Sequence, residues 1–400
     1  MNALETFTPT RTAALERLSR FLPDAGRTYA ARRNYDLGAG RHSGVSGLSP
    51  YLRCRLMTES EVLASVLARH SPQAAEKFIQ EVFWRTYWKG WLELRPGVWD
   101  QYQTTLQTDH NNLQTQSGLR ARWESACLGT TGIDCFDAWG QELVQTGYLH
   151  NHARMWFASI WVFTLRLPWA LGADFFLRHL LDGDPASNTL SWRWVSGQQT
   201  LGKTYLARAS NIEKYTEGRF TPKDLAPHAE ALAAPSNPAP GTLPPAATAD
   251  PTLRTGLLLH CEDLSPGFIL DHMSPACTAT LMVRNGFSPL TPAPHIATFQ
   301  RSALKDTASR WGDKLGGAPE NTATVQDIIT WADAQNLQQI VTAHAPVGPI
   351  AAVIANLCKN PNAPSVVSIR RPYDSAAWPL ATKGFFPFKK HIPDLLAAFT

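Results

Sequence analysis

The 400-residue chain predicts two architectures in succession, a nearly all-α first part and a parallel α/β second part. Three observations carry that reading. Apolar and aromatic residues recur at i, i+3 and i+4 until about residue 220, with few β-branched runs. Between 222 and 252, Pro and Ala dominate (LAPHAEALAAPSNPAPGTLPPAATADP) and the periodicity vanishes, which reads as an extended linker, with an ordered surface strap as the alternative. Beyond Arg254, short apolar strands alternate with helices, the pattern of a parallel, Rossmann-like sheet covered by helices. The expected division is 1–221, 222–252 and 253–400.

The elements follow in order. ESEVLASVLARH (59–70) has helical spacing, and Thr58 stands ahead of it as an N-cap. Residues 73–94 continue as an aromatic-rich helix. Helices are expected over 136–146, over 151–169, where Pro168 stops or kinks the run, and over 171–181. In the second part, TGLLLHC (255–261), CTATLMVR (277–284), the end of 337–345 and SVVSIRR (365–371) read as strands, and 295–315, 325–335 and 348–358 as helices. That part has no GxGxxG or GxxxxGK[ST], so nothing marks a nucleotide-phosphate loop in it.

Composition narrows the classes. At 44% hydrophobic the chain can bury a sizeable core, and a net charge of +4 permits a nucleic-acid partner without arguing for one. None of the six Cys forms a CxxC pair, so no metal site is expected and the thiols are read as reduced. The N-terminus has no apolar signal region, and no uncharged run reaches the roughly 20 residues of a membrane span. A cytoplasmic monomer is expected.

Three blocks carry chemistry. In VSGLSPYL (45–52), hydroxyls and N–H groups on a turn before a helix suit a phosphate, although alone the motif is an ordinary N-cap. In QEVFWRTYW (80–88), Glu81, Trp84 and Arg85 share one helical face. From Thr146 to Trp194, Asn151, Arg154 and Met155 sit on one turn, a DGD triplet spans 182–184, Asn188 follows, and Trp169, Trp192 and Trp194 are interspersed. Two acids as close as Asp182 and Asp184 repel unless a cation or donors stand beside them, and Arg154 is the natural partner for Asp182. Any single Trp is more often a core residue. The mixture suits a large, flat, electron-transferring ring that carries phosphates.

From Tyr35 to Tyr215 these blocks, in this order, resemble the flavin-binding domain of the DNA photolyase/cryptochrome family. The resemblance implies FAD held by Tyr35, Ser46, Gly47, Leu48, Ser49, Phe78, Arg85, Asn151, Arg154, Asp182, Asp184 and Asn188. It implies a lesion site of Glu81, Trp84, Asn151, Met155 and Trp194, the set of relatives that repair cyclobutane pyrimidine dimers. Light-driven electron transfer from reduced FAD would split a flipped-out dimer in UV-damaged DNA, single- or double-stranded. Trp192 and Trp169 match the first two members of an electron-transfer chain. Its surface member has no counterpart near Asn111–Gln116, where Trp161, Trp156 or Tyr102 would have to substitute.

The chain departs from the family elsewhere. Val45 stands where relatives have threonine, and Phe78 where many have tryptophan. The flavin domain comes first, and 256–267 and 366–391 resemble the opening and closing segments of an antenna domain that ordinarily precedes it. An antenna chromophore is left open. Arg193 and Lys203, flanking the lesion site in sequence, are the expected DNA phosphate contacts. The alternative function is a cryptochrome-like blue-light photoreceptor that binds FAD without repair.

Overall fold

A computed structural model describes residues 6–283, 286 and 288–400. We label only the helices that build or support the site: α1 (Arg11–Phe21), α2 (Glu59–Leu67), α3 (Glu76–Glu93), α4 (Asn151–Ser159), α5 (Trp169–His179), α6 (Pro185–Val195), α7 (Pro294–Trp311), α8 (Pro349–Lys359) and α9 (Phe385–Lys389). The Thr58 hydroxyl accepts from the Glu61 N–H, and the Glu61 carboxylate accepts from the Thr58 N–H, a reciprocal cap that fixes the start of α2. The expected helix over 151–169 is broken. α4 ends at Ser159, and one π-turn (Ile160–Thr164) follows before Pro168. Pro168 offers no N–H and its ring crowds the carbonyl four residues back, so regular helix cannot run through it.

The strands are β1 (Thr255–His260), β2 (Cys277–Leu281), β3 (Glu320–Thr322), β4 (Gln339–Ala343) and β5 (Ser365–Ile369), all parallel in the order β3-β2-β1-β4-β5. The Arg284 end of the expected second strand lies outside the described residues. β3 is an addition to the sequence reading: its three residues, Glu-Asn-Thr, carry no apolar run. Alternation along β1 serves both sheet faces. Leu257 and Leu259 join the apolar core shared with the helical part, whereas Leu258 joins a second cluster with Ile328, Trp331, Ile340 and Leu357. α7 packs against both α1 and α5.

Residues 222–252 contain no regular secondary structure, yet they are fastened along their length. Ala226 N–H donates to Thr164 Oγ1, Leu232 N–H to the Ser196 carbonyl and Gly241 N–H to the Leu94 carbonyl. Arg95 holds the Pro238 carbonyl and Arg370 that of Pro244. The segment is the ordered strap rather than a free linker. Among the described residues no helix is long and apolar enough to cross a membrane.

Candidate active site

α3, α4 and α6 converge on a cavity of about 1180 Å³. Its floor is ionic. α4 opens at Asn151, and Arg154 one turn later forms a two-pronged pair with Asp182 (3.0 and 2.8 Å) while its Nε holds the Leu149 carbonyl. Asp184 caps α6, its Oδ1 accepting from the Ser187 N–H at 2.8 Å. Lys89 Nζ lies 2.9 Å from Asp184 Oδ2, and Arg53 and Arg85 each approach to 4.0 Å. Burial pushes the Asp184 carboxyl up, but Lys89, Arg85, Arg53 and the Ser187 N–H outweigh it and hold it well below the usual carboxylate range. Asn188, one turn into α6, commits its amide nitrogen to the Ala173 carbonyl at 2.8 Å. Its side-chain oxygen is the group left for the cavity.

The mouth is aromatic with one carboxylate. Trp84 is backed by Phe385 in a near-parallel stack (3.7 Å, 11°), and Trp194 by Tyr205 (5.6 Å, 29°). Glu81, on the same face of α3 as Trp84, pairs with Arg33. Desolvation raises the Glu81 carboxyl above its usual range against the opposing pull of Arg33. Asn151 and Met155 line the same cavity, and Trp192 lies deeper, edge-on to Phe176 and Trp161.

Several residues expected at the site stand elsewhere. Phe78 is buried 4.9 Å from Phe21 and 5.3 Å from Tyr29, and Tyr29 takes the place on the wall. Of the 45–49 turn only Val45 reaches the cavity. Ser46 accepts from the Leu48 N–H, Leu48 is buried, Ser49 begins a short helix, and Gly47 takes a positive φ beside the Arg17 guanidinium. Tyr35 meets the wall indirectly, edge-on to Tyr215. Trp169 is buried 5.6 Å from Tyr102, which is 5.2 Å from Trp99. Arg193, expected on DNA, is 3% exposed and bonds Asn237 of the strap at 2.8 Å. Asn188, Ser191, Trp192 and Val195 turn one face of α6 to the cavity, and Arg193 projects from the opposite face. Lys203 is exposed beside the cavity segment Thr204–Leu206.

Sequence reasoning missed Arg33, Lys89, Tyr205 and His228, all at the cavity or its ionic floor. Lys89 was recoverable, because it follows Arg85 by one helical turn on α3. His228 lines the cavity with Pro227 and Ala229 of the strap, where composition carried no signal. Outside the cavity, Asp36, His42 and Glu142 come together. Their groups are already engaged: His42 with Glu142 at 2.8 Å, and Asp36 with Trp139 and Arg219.

The donor set fits a flavin dinucleotide. The volume is ample, and Arg85 Nε and Asp184 Oδ2 are buried at the wall with ion pairs but no hydrogen bond among the described residues.

Comparison with known proteins gives four findings. Residues 78–221 match the family described as the FAD binding domain of DNA photolyase. A deoxyribodipyrimidine photo-lyase of Streptomyces griseus is 33% identical over 157 residues, 39% of this chain and 33% of that protein. Another, of Synechococcus sp., is 30% identical over 216 residues, 52% and 43% of the two chains. The crystal structure of a bacterial class III photolyase from Agrobacterium tumefaciens aligns with a TM-score of 0.45 at 26% identity, covering 54% of this chain and 44% of that one. The chain thus spans less than half the length of these curated relatives.

Proposed function

We propose that the protein uses FAD and light to repair cyclobutane pyrimidine dimers in UV-damaged DNA, a reading supported by the match of residues 78–221 to the FAD binding domain of DNA photolyase. The observation that carries the proposal is one cavity with an ion-paired floor and a mouth in which Glu81 stands with Trp84 and Trp194. FAD, when bound and reduced, supplies the photoexcited electron that splits the dimer.

The chain's own residues bind and orient. Arg154 and Asp182, locked together, form a fixed polar edge for the ring. Asp184, kept ionised, presents Oδ2 as an acceptor for an N–H, and Asn188 presents its carbonyl oxygen. Val45 brings the 45–49 turn to the cavity wall, and Tyr35 supports that wall through Tyr215. Trp84 and Trp194, each backed by a second ring, offer rigid walls to an extruded dinucleotide. Ionised Glu81 accepts from a pyrimidine N–H, and Met155 and Asn151 close the side between them. Trp192 and Trp169 serve electron supply from outside, with Tyr102 and Trp99 extending the aromatic row from Trp169. The α/β unit, 253–400, is read as a rearranged antenna domain, and the protein as a cytoplasmic monomer.

A second reading is a blue-light photoreceptor that binds FAD without repair. The strap favours it, since Pro227–Ala229 line the cavity and take up wall that a lesion would otherwise contact.

The test is illumination of the purified, photoreduced protein with an oligonucleotide carrying one thymine dimer, single- and double-stranded. Light-dependent recovery of thymine absorbance is the expected result. Bound, photoreducible FAD without repair moves the assignment to the photoreceptor, and colourless protein overturns both.

A further inference from the structure

The most exposed large apolar side chain among the described residues is Phe386, at 78%. It stands in KGFFPFKKH (383–391), nine residues with three lysines and no carboxylate. Its exposure is built, because the neighbouring backbone is pinned. Tyr87 donates to the Lys383 carbonyl at 2.9 Å, Arg95 to the Thr382 carbonyl at 2.6 Å, and Phe385 and Phe388 are buried on either side. The segment also touches the site, since Phe385 is the ring stacked on Trp84 at the cavity mouth. Lys383 and Lys390 are exposed, whereas Lys389 is tied to Glu76 at 2.7 Å.

A pinned aromatic ring exposed to water beside a cavity, flanked by the exposed Lys383 and Lys390 with Glu76 already paired to Lys389, matches a nucleic acid's chemistry. Bases offer a π-face to the ring and phosphates pair with the lysines. When a dinucleotide leaves a duplex, the gap exposes unstacked base faces, and apolar side chains are the usual means of occupying such steps. We propose that α9 is a duplex-binding wedge: Phe386 stacks in the gap beside the extruded dinucleotide, and Lys383 and Lys390 hold the flanking phosphates. The inference rests on the repair reading above and adds a second, sequence-independent contact supplied by the C-terminal unit.

The experiment compares the flavin-loaded full chain with F386A, F386W and K383A/K390A, each titrated with one thymine-dimer oligonucleotide as duplex and as single strand, and with undamaged duplex. F386A is expected to weaken damaged-duplex binding on the order of 10-fold, with F386W restoring it. Single-strand binding, FAD content and melting temperature should be unchanged in F386A, because an exposed ring contributes little to stability. K383A/K390A should lower the slope of log affinity against log salt by about 1–2. Wild-type affinity of F386A for damaged duplex overturns the wedge while leaving repair standing. Wild-type protein that does not distinguish damaged from undamaged duplex overturns the repair reading and the wedge with it.

Discussion

Glu81 shows how one side chain at the cavity mouth serves two states. Its carboxylate pairs with Arg33 and lines the cavity, where the proposed repair function has it meet a base edge. Desolvation raises its pKa, so it takes up a proton at a higher pH than the ordinary glutamate value of about 4.3. A raised carboxyl is charged only above that shifted value, so repair should fall as the pH drops through it. Glu81→Gln should abolish that inflection in the pH–repair profile. Glu81→Ala should lower repair several-fold and leave the flavin content intact, as measured by visible absorbance. Unchanged repair in the alanine variant removes Glu81 from the lesion site.

At the scale of elements, the placement of Trp192 depends on a glycine in the neighbouring helix. A Cβ on Gly172 of α5 would lie 2.4 Å from the Trp192 ring and 2.9 Å from Trp161. Neither indole can withdraw, because both are buried against Phe175 and Phe176. Gly172→Ala should therefore destabilise by about 1–3 kcal/mol through overpacking, despite the better helix propensity of Ala. It should also reduce FAD retention, since Trp192 lines the cavity; thermal melts and flavin-to-protein absorbance ratios check both. This packing was not legible in the chain, because a helical glycine gives no sign of which ring will cross it. Spacing did reveal the helices that carry the site and four of the five strands, since apolar period marks the buried face of each. It also marked Glu81, Trp84 and Arg85 as sharing a face, and the cavity receives all three. Arg193 shows the limit. Sequence adjacency to Trp194 placed it near the lesion, whereas helical rotation turns it the other way. Phe78 fails differently, since Tyr29, a residue of a remote segment, covers it. Contacts between distant segments have no local period to announce them.

At the scale of the molecule, helical part and sheet are joined by buried charge. Arg53, Arg55, Arg85, Lys89 and Arg371 meet Glu59, Asp184, Glu262, Asp263 and Asp374, five cations against five carboxylates. Glu262, just beyond β1, grips Arg53 through two 2.7 Å bonds and lies 3.4 Å from Lys89, the cation beside Asp184. The end of the sheet therefore sets the charge under the cavity floor. Removing one member leaves its partners buried and unpaired, so Glu262→Ala should cost about 3–5 kcal/mol and loosen Lys89 from Asp184. The same network fixes an acid limit. Burial raises the Asp184, Glu59, Glu262 and Asp263 carboxyls, but the surrounding cations and hydrogen bonds bring each below its ordinary value. The unfolded chain, with carboxyls titrating at about 3.9–4.3, then binds more protons than the folded one throughout the interval below. Stability is fully present above the unfolded values and declines as the pH falls toward the folded ones. The melting temperature should thus be nearly flat from neutrality to about pH 5 as far as these groups govern it, and fall steeply below about pH 4. Because Asp184 belongs to both the network and the cavity wall, FAD should leave in the same interval as the melting temperature falls. Release of FAD well above that interval, with the fold intact, would separate the cavity from the network that supports it.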